Sequence, residues 1–161
     1  MSAPEPITAP VNDPDVSNSV SRGEHLARLA SCADCHTPFD ENGAIRYHSF
    51  ERNIEKYLEA GIEGYLVLGS NGESVYLEHS EKLKLMEAAR GRIPSSMTML
   101  VGTGVESTQG TILLTKEAAD RGADAVLVKN PFYFKSQMTF DVYVRHYTAV
   151  ADASPIPVVI Y

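Results

Sequence analysis

Residues 97–128, MTMLVGTGVESTQGTILLTKEAADRGADAVLV, contain a complete strand–helix–strand unit and decide the fold. The apolar run 99–102 ends at a glycine and predicts a buried strand. Helical spacing of apolar residues predicts a helix over 107–121, which Gly122 ends, and the apolar run 123–128 predicts the next strand. The predicted buried face of this helix consists of Ile112, Leu113, Thr115 and Ala118.

The same alternation of strand and helix extends to both sides of this unit. Further helices are predicted over 47–60, 80–91 and 139–151, and further strands over 64–68 and 155–161. Thr139 is the predicted N-cap of the last helix. Apolar strands without a two-residue alternation indicate a parallel sheet covered on both faces. A doubly wound sheet and a (β/α)8 barrel both fit this pattern.

Composition and charge exclude several classes of protein. The chain has 161 residues, which is too short for a complete (β/α)8 barrel of roughly 200 residues or more. A net charge of −7 argues against nucleic acid or an anionic membrane as a partner. The sequence contains neither an apolar run of about 18 residues nor a signal-peptide pattern. We therefore expect a cytoplasmic protein that binds neither nucleic acid nor membrane.

The N-terminal part of the chain has a different character. Residues 1–21 combine four prolines with polar residues and predict a disordered tail. The motif Cys32-x-x-Cys35-His36 is the attachment sequence for c-type haem, and residues 22–38 resemble the corresponding segment of c-type cytochromes. Covalent haem c on these three side chains is therefore one alternative. A zinc site, a redox pair and two free cysteines are the others.

Candidate chemistry follows the predicted strands, because ligands of parallel α/β folds meet the loops at the carboxyl ends of the strands. After the first of these strands, Ser70-Asn71-Gly72 offers a hydroxyl, an amide and backbone N–H groups that suit a small carboxylate or phosphate, although a plain turn has the same composition. Tyr133 and Tyr161 follow two other strands, where each is either part of a phenolic relay or a packed aromatic residue.

Taken together, residues 37–161 resemble the dihydrodipicolinate synthase and N-acetylneuraminate lyase superfamily of class I aldolases, and within it the 4-hydroxy-2-oxoglutarate aldolases. The motifs that carry the resemblance are Thr37-Pro38-Phe39, Gly69-Ser70-Asn71-Gly72-Glu73, Val101-Gly102-Thr103-Gly104, Glu106-Ser107-Thr108, Pro131-Phe132-Tyr133, His146-Tyr147-Thr148 and the run Ser154–Tyr161. The resemblance implies an α/β fold, roughly the first half of a TIM barrel over 37–161. The tail 1–21 and the cytochrome-like segment 22–36 precede it.

The resemblance also implies a chemistry. Members of this superfamily form a Schiff base between a lysine and a 2-oxo acid such as pyruvate, and the imine accepts the electrons of a neighbouring C–C bond. Ser70 and Asn71, with Gly72 in the same turn, match the residues that hold the substrate carboxylate, and Ser70 also transfers protons. Tyr133 matches a tyrosine donated across a dimer interface, and Tyr161 a general acid/base beside the imine. The implied reaction is cleavage of 4-hydroxy-2-oxoglutarate to pyruvate and glyoxylate, without a cofactor, by a homo-oligomer.

The sequence departs from the family pattern at two places. The Schiff-base lysine belongs on the sixth barrel strand, whereas this chain ends on the fifth. We expect Lys129 to be a rim lysine and Lys135 a solvated loop charge. The cytochrome-like residues stand where the first barrel strand would be. These departures favour the hypothesis of a chimeric, truncated chain that is inactive alone and that self-associates through open sheet edges.

Overall fold

A computed structural model describes residues 37–60, 62 and 64–161 of the chain. The predicted tail 1–21 and segment 22–36 lie outside the described residues. The helices are α1 Tyr47–Leu58, α2 His79–Arg90, α3 Thr108–Asp120 and α4 Phe140–Ala153. The strands are β1 Gly64–Val67, β2 Thr98–Gly102, β3 Ala125–Val128 and β4 Val158–Ile160. Every helix and strand predicted over this region is thus present, with small differences at the ends.

The four strands form one parallel sheet in the order β1-β2-β3-β4, so each strand pairs with the one that follows it along the chain. A doubly wound sheet reverses its strand order at a switch point, whereas a barrel adds strands in one direction only. The observed order therefore favours a part of a barrel over a doubly wound sheet. Since all four strands point the same way, their carboxyl ends share one edge of the sheet.

The helices pack against one another and against the sheet. Burial alternates along the strands: Val67, Val101 and Val128 are buried, whereas Leu66 and Leu100 are only half-buried. The prediction of a sheet covered on both faces is therefore wrong for the described residues. The opposite face is the one that would line a barrel, in agreement with an incomplete barrel.

The buried face of α3 is rotated relative to the prediction. Leu113 is 54% exposed and Ile112 is half-buried, while the buried residues are Thr111, Leu114, Thr115 and Ala118. Two threonines can occupy this face because their hydroxyls have partners. The Thr115 hydroxyl lies 2.9 Å from that of Thr103 at the end of β2, and the Thr111 hydroxyl donates to the Val105 carbonyl at 3.2 Å.

Side chains also fix the ends of α3 and α4. The Ser107 hydroxyl accepts a hydrogen bond from the Gly110 N–H at 3.0 Å, and the Thr139 hydroxyl accepts one from the Val142 N–H at 3.4 Å. The predicted N-cap at Thr139 is thereby confirmed.

His146 of α4 ties this helix to the start of α3. Its Nδ1 lies 2.9 Å from the Thr108 hydroxyl, and the residue is only 4% exposed. Its Nε2 is buried without a hydrogen-bond partner among the described residues. Burial lowers the pKa of the imidazole below its ordinary value, so the imidazole is neutral in the folded protein at neutral pH.

Candidate functional site

The turn after β1 presents the predicted carboxylate-binding residues. Ser70–Gly72 forms one turn of 3-10 helix. Leu68, two residues before this turn, and Glu73, directly after it, have positive φ values of 60° and 55°. Ser70 and Asn71 are exposed, whereas Gly72 is buried. The Gly72 N–H already donates to the Gly69 carbonyl at 3.0 Å. Gly72 therefore belongs to the hydrogen bonding of the turn itself, and Ser70 and Asn71 face solvent.

A buried threonine is hydrogen-bonded to the backbone of this turn. The Thr37 hydroxyl donates a 2.7 Å hydrogen bond to the Gly72 carbonyl, and Thr37 is only 8% exposed. The two residues are far apart in the sequence, so this bond links the first motif of the described chain directly to the candidate site. Among the described residues, Thr37 is the side chain whose hydrogen bond fixes the position of Gly72.

The glycines after β2 permit close approach of neighbouring backbone. A Cβ at Gly102 would overlap the Leu68 carbonyl oxygen, and a Cβ at Gly104 would lie 2.6 Å from the Lys129 backbone nitrogen. The spacing Gly102-x-Gly104 therefore has a packing reason in this fold: it allows the ends of β1, β2 and β3 to come together.

The loop after β3 carries Tyr133, which is 75% exposed. Its ring meets that of Phe134 edge to face, with the ring centroids 4.9 Å apart. The backbone N–H groups of Phe132 and Tyr133 both donate to Oε2 of Glu106, each at 3.0 Å. Glu106 belongs to the loop after β2, so one carboxylate fixes the neighbouring loop.

Lys129 lies between the two loops. Its Nζ is 3.7 Å from Oε1 of Glu106 and 4.5 Å from the centroid of the Phe132 ring. Desolvation raises the pKa of the Glu106 carboxyl, but the two backbone hydrogen bonds and the Lys129 charge outweigh it, and the net pKa is lowered. Lys129, predicted as a rim lysine, is half-buried and contacts its neighbours, whereas Lys135, predicted as a loop charge, is exposed.

Tyr161 follows β4 at the same edge of the sheet. Its backbone N–H donates to the Val128 carbonyl at 3.0 Å, and the residue is 71% exposed. Ser70 follows β1, and β1 is three strands away from β4 in the sheet. With about 4.8 Å between neighbouring strands, the strands that precede Ser70 and Tyr161 lie roughly 14 Å apart. Ser70, Tyr133 and Tyr161 thus share one edge but belong to different strands.

A cavity of about 180 Å³ adjoins this edge, and its lining includes Ser74, Lys82, Glu106 and Lys129. Burial lowers the pKa of the Lys82 ammonium, which α2 contributes to the cavity. The sequence motifs do not single out Lys82 or the pairing of Lys129 with Glu106. The proximity of Glu106 and Lys129 was nevertheless predictable, because both residues follow adjacent parallel strands and therefore lie at the same edge of the sheet.

The sequence also raised the possibility of a metal or haem site and argued against a membrane segment. Cys32, Cys35 and His36 lie outside the described residues. In the described part of the chain, no three His, Cys, Asp or Glu side chains come together as a metal site. Nor does any helix of that part have the length and apolar character to cross a membrane.

Comparison with known proteins agrees with this geometry. The model of the Dihydrodipicolinate synthetase family matches residues 29–161. The match includes Cys32, Cys35 and His36, so it gives no support to a separate haem segment.

Two curated proteins and one solved structure illustrate the similarity. A probable mitochondrial 4-hydroxy-2-oxoglutarate aldolase of Emericella nidulans is 42% identical over 127 residues, 76% of this chain and 41% of the relative. A 4-hydroxy-tetrahydrodipicolinate synthase of Oenococcus oeni is 36% identical over 126 residues, 78% of this chain and 42% of the relative. The pyruvate complex of Acinetobacter baumannii dihydrodipicolinate synthase is 31% identical, with a TM-score of 0.74 over 78% of this chain and 43% of that one.

These matches confirm the predicted α/β class and the partial TIM barrel. The described sheet and helices correspond to the N-terminal part of that barrel. The chain spans about two fifths of the length of the curated relatives it matches.

Proposed function

Because the chain belongs to the dihydrodipicolinate synthetase family, we propose that it contributes the carboxylate-binding turn and two tyrosines to a carbon–carbon lyase that acts on a 2-oxo acid. The observation that carries the proposal is the turn Ser70–Gly72, which exposes a hydroxyl and an amide at the carboxyl ends of parallel strands. This edge is where ligands of barrel enzymes bind.

The substrate we propose is 4-hydroxy-2-oxoglutarate, which the enzyme cleaves to pyruvate and glyoxylate. Two comparisons support it: the Emericella relative is named for this activity, and the Acinetobacter structure contains pyruvate. Both products and the substrate carry the 2-oxo acid group that Ser70 and Asn71 would hold. Pyruvate alone, or a related 2-oxo acid, is therefore a sufficient probe of the site.

Each residue has a distinct proposed role. Ser70 and Asn71 donate hydrogen bonds to the substrate carboxylate, and Ser70 also relays protons. Tyr161 is the general acid/base beside the imine, since a phenol with an ordinary pKa of about 10 can donate and recover a proton in such a relay. Tyr133 reaches the site of a second copy in a homo-oligomer, and its 75% exposure leaves the ring free to do so.

The chemistry needs a lysine that forms the imine, and it needs no cofactor. None of the lysines in this sequence stands at the position that the family uses. We therefore propose that the residues described here do not supply the nucleophile and that the chain alone does not form the imine. The division into 1–21, 22–36 and 37–161 and the cytoplasmic location stay predictions, and the Emericella relative is described as mitochondrial.

Pyruvate binding to the full chain tests the proposal. Addition of pyruvate should shift the NMR signals of the Ser70 and Asn71 amides. Because a hydrogen bond to a charged group contributes about 1.5–3 kcal/mol, Ser70→Ala should weaken binding roughly tenfold or more. Ser96→Ala is the matched control, since Ser96 is also an exposed serine but precedes β2 at the opposite edge of the sheet. Equal loss in both variants, or no pyruvate effect in the unmodified chain, would contradict the proposal.

Borohydride reduction with pyruvate tests the statement about the nucleophile. We expect the mass of the full chain to stay unchanged, since no imine forms that borohydride can reduce to a stable amine. A pyruvate adduct on Lys82, Lys129 or any other lysine would refute that statement and would identify the nucleophile by peptide mapping.

A further inference from the structure

We propose that Glu106 is the positioning residue for Tyr133, with Lys129 as its counterion. The inference deepens the proposed function, because Tyr133 matters for catalysis only if that function is correct. The arrangement itself is a property of the described residues, and its test is independent of catalysis.

The first observation is the hydrogen bonding of the Glu106 carboxylate. Oε2 accepts the N–H groups of two consecutive residues, Phe132 and Tyr133, each at 3.0 Å. Because both N–H groups point at the same oxygen, the orientation of the two peptide groups that carry them is fixed. The position at which the Tyr133 side chain leaves the backbone is therefore set by a residue on another loop.

The second observation is the charge on the other side of the carboxylate. Oε1 lies 3.7 Å from the Lys129 ammonium, which is also 4.5 Å from the Phe132 ring centroid. Lys129 thus contacts both the carboxylate and the loop that the carboxylate holds. Its side chain is 22% exposed, so water screens this pair less than it would a fully exposed one.

The third observation is the backbone that carries these side chains. Gly104 approaches the Lys129 backbone so closely that a Cβ would lie 2.6 Å from its nitrogen. Ser107, next to Glu106, caps α3 through the Gly110 N–H at 3.0 Å. Both ends of the contact are therefore held by regular elements, while Tyr133 itself is 75% exposed and has little packing of its own.

The charge on Glu106 makes the contact dependent on pH. Desolvation opposes ionisation, but the two N–H groups and Lys129 together lower the pKa of Glu106 below its ordinary value. Lys82 from α2 lines the same cavity as Glu106 and Lys129 and adds a second positive charge there. The carboxylate is thus ionised at neutral pH, and protonation weakens the contact only as the pH falls through the lowered pKa.

The test is an NMR titration of the full chain that follows the amide signals of Phe132 and Tyr133. We expect both signals to move together in acid with one midpoint, below the ordinary range of a glutamate. Lys129→Met should raise that midpoint, because the ammonium no longer stabilises the carboxylate. Glu106→Gln should remove the titration while its amide oxygen still accepts hydrogen bonds, and Glu106→Ala should increase amide exchange at both residues by about tenfold or more.

Glu87→Gln is the matched control, since Glu87 is also an exposed glutamate paired with a cation, at 3.0 Å from Arg121, but belongs to the last turn of α2. It should leave the titration of both amides unchanged. Independent titration of the two amides, or a Lys129→Met midpoint equal to that of the unmodified chain, would overturn the inference. If the titration behaves as expected but pyruvate does not bind, the proposed function fails while the positioning role of Glu106 stands.

Discussion

Replacement of Thr37 by valine isolates one hydrogen bond beneath the candidate site. The two side chains have nearly the same shape, so the change leaves no cavity in a residue that is 8% exposed. It removes the 2.7 Å bond to Gly72 and leaves a buried carbonyl without that donor. A buried polar group that loses its partner costs about 1–3 kcal/mol, which we expect as the loss in the free energy of unfolding.

Thermal and urea unfolding, followed by circular dichroism, measure this loss. For a folded unit of this size, 1 kcal/mol lowers the Tm by roughly 4 °C. Pyruvate binding should weaken as well, because the same bond holds the turn that presents Ser70 and Asn71.

Thr37→Ser is the control, since it keeps the hydroxyl and removes one methyl group, at a cost below about 1 kcal/mol. A change of less than about 0.5 kcal/mol in the free energy of unfolding of Thr37→Val would show that this hydrogen bond does not support the turn. A serine variant that loses as much stability as the valine variant would show the same.

Three further predictions address the packing beneath the site. Thr103→Val and Thr115→Val should each lower the free energy of unfolding by about 1–3 kcal/mol, because each leaves the other hydroxyl without its partner. The double variant should lose less than the sum, since it leaves no unpaired hydroxyl at this contact, and additive losses in urea unfolding would contradict this. Because the pKa of His146 is lowered in the folded protein, the unfolded chain binds a proton at this residue more readily, and the free energy of unfolding should fall as the pH drops below about 6.5. His146→Asn should reduce this dependence of stability on pH in a series of melting curves. An unchanged pH dependence would show that His146 is not its source. Gly102→Ala should cost about 1–3 kcal/mol or more, because the new Cβ would overlap backbone at Leu68, and a melting curve like that of the unmodified chain would argue against the close approach.

Local patterns in the sequence predicted the helices and strands well, because apolar periodicity and glycine positions report directly on each element. The strand order needed more, since a doubly wound sheet and a barrel share the same local pattern and differ only in which strands pair. The buried face of α3 differs from the predicted one, because Thr111 is buried with its hydroxyl hydrogen-bonded, while the apolar Leu113 is exposed.

The candidate site was predictable in part. Ser70, Tyr133 and Tyr161 follow predicted strands, so their common edge followed from a parallel sheet. The contact of Glu106 with Phe132 and Tyr133 was not visible in the sequence, because its hydrogen-bond partners are backbone N–H groups, which every residue except proline possesses. The hydrogen bond of Thr37 was hidden for the same reason, since its acceptor is a backbone carbonyl.

The sequential strand order has a consequence for how the fold forms. Each of the first three described strands pairs with the strand that directly follows it, so none of these three pairings has to wait for a distant part of the chain. Contacts between sequence neighbours close with a small loss of chain entropy. During synthesis, β1 and β2 can therefore pair before β3 leaves the ribosome, and the layer can grow by one strand and one helix at a time.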